Sequence, residues 1–205
     1  MSTIAPIQPM TPPATDPGWI PSPLYRLTLE QYERMVESGI LDARDRVQLI
    51  NGYLVAKMTQ NDPQCTADDL CGAELQRVIP PGWYIRPAKP IRIPSQASKP
   101  EPDRCVVRGS IRDYNRRSPE PADIALVVEV SESSLEEDRK QAGLYGRAGI
   151  PICWIIDLIH GQVEVYSNPG PSGYGAMDIL MPGRLLPVVI DGVEVGQIPV
   201  ADIMP

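Results

Sequence analysis

Histidine is almost missing from this 205-residue chain: His160 stands alone, and the four cysteines (Cys65, Cys71, Cys105, Cys153) form no C-x-x-C pair. A Cys/His zinc cluster therefore lacks ligands, and the cysteines are expected as reduced, partly buried thiols. No apolar run approaches about 18 residues, so no membrane span is expected. The amino terminus has neither a basic start nor a hydrophobic stretch, so no secretory signal is expected, and a cytoplasmic location follows as the expectation. Long uninterrupted elements are excluded as well, because 24 prolines and 16 glycines punctuate the chain. Positive charge is in deficit: 19 Lys and Arg against 26 Asp and Glu give a net charge of -7. That balance argues against a broad cationic surface wrapping a polyanion, though not against a local basic cleft. There is no G-x-S-x-G elbow for a serine hydrolase. The stretch Gly170-Pro171-Ser172-Gly173-Tyr174-Gly175 lacks the lysine and following helix of a phosphate loop and is read as a surface loop. His160, next to Gly161, is read as a turn residue.

What is present is ordinary globular composition, 42% hydrophobic and 22% charged, enough for one domain with tails. Residues 1–23 hold Pro6, Pro9, Pro12, Pro13, Pro17, Pro21 and Pro23 with Asp16 as the one charge, and are expected as a disordered Pro-rich tail. The domain is placed over residues 24–167, with a β-rich extension over 168–205 packed on it. Thr28 and Gln31 have capping-box spacing ahead of the apolar stripe Leu29, Tyr32, Met35 and Val36, which predicts a short helix. Asn51-Gly52 between Arg46–Ile50 and Tyr53–Met58 predicts a hairpin. Thr66 and Asp69 predict a second helix that ends at Pro80-Pro81-Gly82. Strand pieces are expected at Trp83–Arg86, Pro90–Ile93 and Cys105–Val107, and a nearly continuous apolar strand at Ile124–Val130. Ser134 and Glu137 predict a third helix running to about Ala148, followed by a hairpin around His160-Gly161. Pro187–Ile190 and Val193–Val195 are strand-like. The order of elements predicts an α/β (α+β) fold, a mixed sheet flanked by helices.

One residue in the apolar strand does not belong there on hydropathy: Glu129. A buried carboxylate without a partner costs several kcal/mol or takes up a proton, so something must compensate it, a metal or a lysine. Pro102-Asp103 opens the strand carrying Val106 and Val107, and neighbouring strands can bring Asp103 and Glu129 together. Two carboxylates, the Val130 carbonyl and waters would form an all-oxygen set suited to Mg²⁺. The alternative is that Glu129 points outward from an edge strand and Asp103 caps a loop.

The succession Gln48-Leu49-Ile50-Asn51-Gly52, Glu101-Pro102-Asp103, Val127-Val128-Glu129-Val130-Ser131, Asp138-Arg139, Tyr145–Pro151 and Trp154-Ile155-Ile156-Asp157 resembles the Uma-type ("Uma two") restriction-endonuclease family of the PD-(D/E)XK nuclease superfamily. The resemblance covers residues 25–166 and is specific as a set. It implies a restriction-endonuclease-like core, hydrolysis of DNA phosphodiester bonds, a Mg²⁺ (or Mn²⁺) cofactor, and Asp103 and Glu129 as metal ligands together with the Val130 carbonyl. It further implies a lysine on the following helix, in a D-R-x-x-K-x-x-x-Y pattern. Here the matching position holds Gln141, the nearest lysine is Lys140, and helical geometry turns Lys140 about 100° away from the stripe Gln141, Leu144, Tyr145 and Ala148. Gln48 stands where the family usually has glutamate, and Gln64 where a histidine is common; neutral amides keep hydrogen bonds and lose charge. Lys140, Gln141 and Gln48 are therefore the further catalytic candidates, and a nuclease fold that binds nucleic acid or protein without cleaving is the alternative expectation.

Charge is unevenly distributed. Between Arg77 and Arg117 there are ten basic residues against Glu101, Asp103 and Asp113, a local balance of +7 that leaves -14 elsewhere. Arg86, Lys89, Arg92, Arg104 and Arg108 are the nucleic-acid contacts expected from this segment, with Arg86 and Arg92 sharing strand parity. Double-stranded DNA is the expected partner, no membrane is, and a homodimer is compatible with either reading.

Overall fold

Thr28 and Gln31 cap the first helix as their spacing predicts: the Gln31 amide donates to Thr28 Oγ1 and the Thr28 amide to Gln31 Oε1, at 3.2 and 2.8 Å, at the head of α1 (Leu29–Glu37). This is a computed structural model describing residues 23–205, so the tail expected over residues 1–23 lies, apart from Pro23, outside the described residues. β1 (Val47–Ile50) and β2 (Tyr53–Ala56) pair antiparallel about Asn51-Gly52, whose φ values of 49° and 82° are the left-handed pair that a two-residue hairpin turn demands. α1 buries Leu29 and Tyr32 against Leu41 of the loop that follows it and Leu49 of β1.

α2 (Asp62–Val78) begins earlier than the Thr66/Asp69 spacing predicts. Asn61 and Gln64 form the reciprocal cap instead, Pro63 fits the first turn where no donor is needed, and the Thr66 hydroxyl bonds back to the Asp62 carbonyl at 2.9 Å as an interior residue.

The main sheet has six strands: β3 (Trp83–Pro87), β4 (Arg104–Arg108), β5 (Ile124–Ser131), β6 (Ile152–Asp157), β7 (Gln162–Gly170) and β8 (Gly173–Leu180), adjacent in that order. All pairs are antiparallel except β5–β6, which α3 (Leu135–Arg147) connects as a crossover. Every residue of β5 is buried, as its apolar run requires of a central strand. Pro87 sits at the end of edge strand β3, where a missing donor breaks no ladder. The strand expected over Pro90–Ile93 does not form; Pro90 and Pro94 bracket it, and Ile93 makes only an isolated bridge to Ser98, although Ile91 and Ile93 are fully buried. Ser134 does head α3, but its hydroxyl donates to the Asp138 carboxylate (2.8 Å) instead of forming the expected box with Glu137. β7 runs through position 167/168, and the β7–β8 hairpin turns at Pro171-Ser172 where a surface loop was expected. β9 (Leu185–Ile190) and β10 (Val193–Pro199) make a separate hairpin.

Alternation along the strands sorts side chains onto two faces. Val106, Leu126, Val128, Trp154 and Ile156 pack toward α2 and the β9–β10 hairpin. Cys105, Val107, Val127, Cys153 and Ile155 pack toward α3, closed by Leu144, Tyr145 and the loop residues Ile91 and Ile93. α3 lies so close to the β7–β8 hairpin that a Cβ on Gly146 would stand 2.6 Å from the Gly173 carbonyl carbon. Gly146→Ala is therefore expected to destabilise the fold by about 1–3 kcal/mol despite alanine's better helix propensity. Urea denaturation measures this, and an unchanged midpoint would refute the close-packing account. Among the described residues no helix is long and apolar enough to cross a membrane.

Candidate active site

Asp103 and β5 share one face of the sheet because Asp103 continues the parity of Cys105 and Val107 on β4, and the β4–β5 register sets it beside Glu129. The backbone locks the pair together: the Val130 amide donates to Asp103 Oδ2 at 2.7 Å and the Asp103 amide to Glu129 Oε2 at 3.3 Å. Glu129 is 5% exposed and points inward beneath α3, which excludes the outward-facing edge-strand alternative. Two groups from α3 hold its other oxygen: Gln141 Nε2 donates to Oε1 at 2.8 Å and the Tyr145 hydroxyl at 2.7 Å. Gln141 also donates to the Tyr145 hydroxyl oxygen at 2.7 Å, so the i, i+4 pair acts as one clamp on the carboxylate.

The remaining contacts come from the start of α2 and from β1. Gln60 Nε2 donates to Asp103 Oδ1 at 2.6 Å, and Gln64 Nε2 to the Val130 carbonyl at 3.1 Å, while Gln64 Oε1 caps its own helix at the Asn61 amide. Asn61 in turn donates to the Glu132 carboxylate beyond β5. Gln48 Oε1 accepts from the Glu101 amide at 3.0 Å, so it positions the Glu101-Pro102-Asp103 segment without touching either acid.

Burial pushes the Asp103 carboxyl up to about 7, against the hydrogen bond from the Val130 amide that favours its charge, with Asp68 and Asp138 repelling from nearby. Burial also raises Glu129 well above the carboxylate range, and the neighbouring Asp103 charge adds to it. The half-buried Asp138, raised by its own burial, is felt by both. No lysine or arginine among the described residues forms an ion pair with Asp103 or Glu129. Two adjacent acids without a cation of the chain must share a proton or accept a cation from outside. Their all-oxygen donors suit a hard divalent ion, and the Val130 carbonyl has one lone pair left after Gln64.

Lys140 does not join them. It is 74% exposed, with its amine 3.9 Å from Glu137 on the outer face of α3, because one residue of helix is about 100° of rotation. Gln141 stands in the site in its place. Tyr145, Gln60 and Asp138 are the groups that sequence reasoning left out of the site. The i, i+4 spacing of Gln141 and Tyr145 was a usable signal for Tyr145, whereas nothing local points Gln60 at Asp103.

The five basic residues expected to contact nucleic acid are scattered. Arg104 faces α2, 12% exposed, and makes two bonds to the Asp68 carboxylate (2.5 and 2.9 Å) and one to its backbone carbonyl (2.7 Å), with Asp69 at 3.0 Å. Its parity, opposite to that of Asp103, forces this. Arg108 shares that side, over the Trp83 ring and 2.6 Å from Asp191. Arg92 lies in the loop where no strand forms, so it has no parity to share with Arg86, and it is held by Glu33 and Glu120 at 3.1 and 2.9 Å. Lys89 is exposed next to the β3 edge. Arg86 alone of the five both lies on the sheet face of Glu129 and has no carboxylate within ion-pairing distance.

A mixed sheet with paired acids at the junction of two central strands, clamped from a crossover helix, defines a class of α/β proteins with a buried acidic site. Within it, the family described as "Putative restriction endonuclease" (Uma2) matches residues 29–200, and the chain belongs to that family. The fold is also that of a solved structure described as a "putative nuclease belonging to DUF820" from Anabaena variabilis ATCC 29413. That likeness has a TM-score of 0.66 and 16% identity over 86% of this chain and 97% of the other. No curated protein matches.

Proposed function

We propose that this protein is an endonuclease that hydrolyses DNA phosphodiester bonds with Mg²⁺ or Mn²⁺ held by Asp103, Glu129 and the Val130 carbonyl. The observation that carries the reading is the pair of adjacent acids, Glu129 buried and Asp103 half-buried, with no cation of the chain to neutralise them. The family and the structural likeness support hydrolysis of a nucleic acid as the chemistry. When bound, the ion supplies charge neutralisation at phosphorus and a more acidic water. The chain's own groups do the rest. Tyr145 and Gln141 fix the Glu129 carboxylate in one rotamer, Gln60 and the Val130 amide fix Asp103, and Gln48 holds the segment that delivers Asp103.

Incubating the protein with supercoiled plasmid and Mg²⁺ or Mn²⁺ is expected to give nicked and linear products that chelator removes and that Glu129→Ala does not form. Unchanged, chelator-sensitive cleavage by Glu129→Ala overturns the assignment. One observation favours a second reading, a module of the same fold that binds without cutting: a neutral amide, Gln141, fills the place next to Glu129 where a lysine would supply charge. Under that reading the unsubstituted protein yields no products at all.

A further inference from the structure

Away from the acids, a cleft of about 460 Å³ opens between α1, the loop after β3 and the segment that follows the 3-10 turn Ile111–Tyr114. Five cations line it (Arg86, Arg92, Lys99, Arg116, Arg117) against three carboxylates. Most of this charge is already matched. Glu33 bonds both Arg92 and Lys99 at 3.1 and 2.9 Å, Glu120 bonds Arg92, and Asp123 holds Arg117 at 2.5 Å.

Arg86 is different. Its guanidinium is partly buried, no carboxylate lies within 4.0 Å, its Nε is enclosed without any acceptor, and Nη2 reaches only the Pro90 carbonyl at a long 3.4 Å. Two residues back on the same strand face, the Tyr84 hydroxyl is enclosed beside Arg86, where its oxygen can accept from the guanidinium and hold it in place. Arg86 therefore lines the cleft with a partly desolvated positive charge that no carboxylate compensates, which is costly unless an anion in the cleft pairs with it. Further donors reach the cleft from another side, Asn115, Arg116 and Ser118 after the 3-10 turn. Arg116 has no ion-pair partner among the described residues.

We infer that this cleft is a phosphoryl-binding subsite centred on Arg86, and that the group it takes is a backbone phosphate or the phosphate of a free nucleotide. The cleft's place in the sheet connects it to the acids. Arg86 pairs with Cys105 on β4, Cys105 with Val127 on β5, and Glu129 follows two residues later on the same face. Two strand spacings across and two residues along place Arg86 about 12 Å from Glu129, within reach of the same nucleic-acid strand. Assigning the phosphate to DNA rests on the nuclease reading; the subsite itself does not.

The test is binding without metal, in chelator, so that it is independent of cleavage. Fluorescence anisotropy with a labelled 16-base-pair DNA, and calorimetry with inorganic phosphate and a nucleoside monophosphate, are run on the unsubstituted protein, Arg86→Gln and Tyr84→Phe. Arg77→Gln, on an exposed residue paired to Glu74, is the control. Arg86→Gln is expected to weaken phosphoryl binding about tenfold, and to lower the slope of log affinity against log salt for DNA by about 1. Tyr84→Phe is expected to weaken binding less, and the control not at all. Loss on DNA identifies a backbone phosphate; loss on phosphate or nucleotide with no DNA binding identifies a free phosphoryl ligand. Equal binding by Arg86→Gln and the unsubstituted protein, or no binding of any of the three probes, overturns the subsite. The nuclease reading fails separately, as absent cleavage with binding intact.

Discussion

Gln141→Lys is expected to cleave supercoiled plasmid in Mg²⁺ at least about 10²-fold faster than the unsubstituted protein, the scale of one positioned proton-transfer or charge-stabilising group. The side chain at 141 is already in place: its amide touches Glu129 Oε1 and the Tyr145 hydroxyl, so an ammonium there needs no movement of α3 to reach the acids. Lysine is a good helix former, and the position faces the site from the interior of α3. The substitution supplies the charge missing from an otherwise complete set of ligands. Timed gel assays on both proteins at equal concentration measure the effect, with Gln141→Lys/Glu129→Ala as the control for contaminating nuclease. Equal and measurable rates would show that a cation at this position contributes nothing to the chemistry and would remove the ground for the non-cleaving reading; no cleavage by either protein would overturn the nuclease reading instead.

Glu129→Gln is expected to raise the melting temperature of the metal-free protein at pH 8 by about 4 °C or more, the shift that one or two kcal/mol produces in a chain of this size. The sign follows from the direction of the pKa changes. Asp103 is pushed up to about 7 and Glu129 well above its ordinary value, whereas both titrate near 4 in the unfolded chain. Between these limits the native state holds protons that the unfolded state has released, so stability falls as pH rises from about 5 to about 8. The contribution is complete below the unfolded values and disappears as pH rises through the folded ones. Glu33, Asp123 and Glu164 shift downward by their partners, so their stabilising contributions disappear only in more acid solution, outside this window. The amide variant removes the charge that must otherwise be buried, and its advantage should shrink as pH falls toward 5, because the upward shift of Glu129 favours its protonated form in that direction. Thermal melts in chelator from pH 5 to 8 measure it. A pH-independent melting temperature, or an equal loss of stability in the variant at both ends, contradicts the account. Added Mg²⁺ should stabilise the unsubstituted protein more at pH 8 than at pH 5.5, because ion and proton compete for the same oxygens.

Much of this site can be traced to local pattern. An acid inside an apolar run marks Glu129 as a residue with a reason to be there, and a Pro-Asp at a strand start marks Asp103. Their meeting follows from the register of two adjacent strands. Gln141 and Tyr145 share a helix stripe, so their joint hold on Glu129 could be anticipated from periodicity, as could the absence of Lys140 from it. The basic segment was less legible. Ten cations close together along the chain read as one patch, but alternation sends Arg104 and Arg108 to the α2 side while Arg86 and Asp103 take the other. Long-range acids then claim Arg92 from α1 and Arg104 from α2. A linear count of charge cannot register partners that lie dozens of residues away.

The cap of α1, the Asn51-Gly52 hairpin and the central strand were settled within windows of a few residues, because capping, φ preference and hydrophobic period act over that range. Which neighbours compensate each charge was settled by packing. Gln60 on Asp103, Asp68 on Arg104, and the unmatched Arg86 at its cleft are relations between segments far apart in the chain, and a buried charge takes its character from whatever polar group folding brings within about 3 Å.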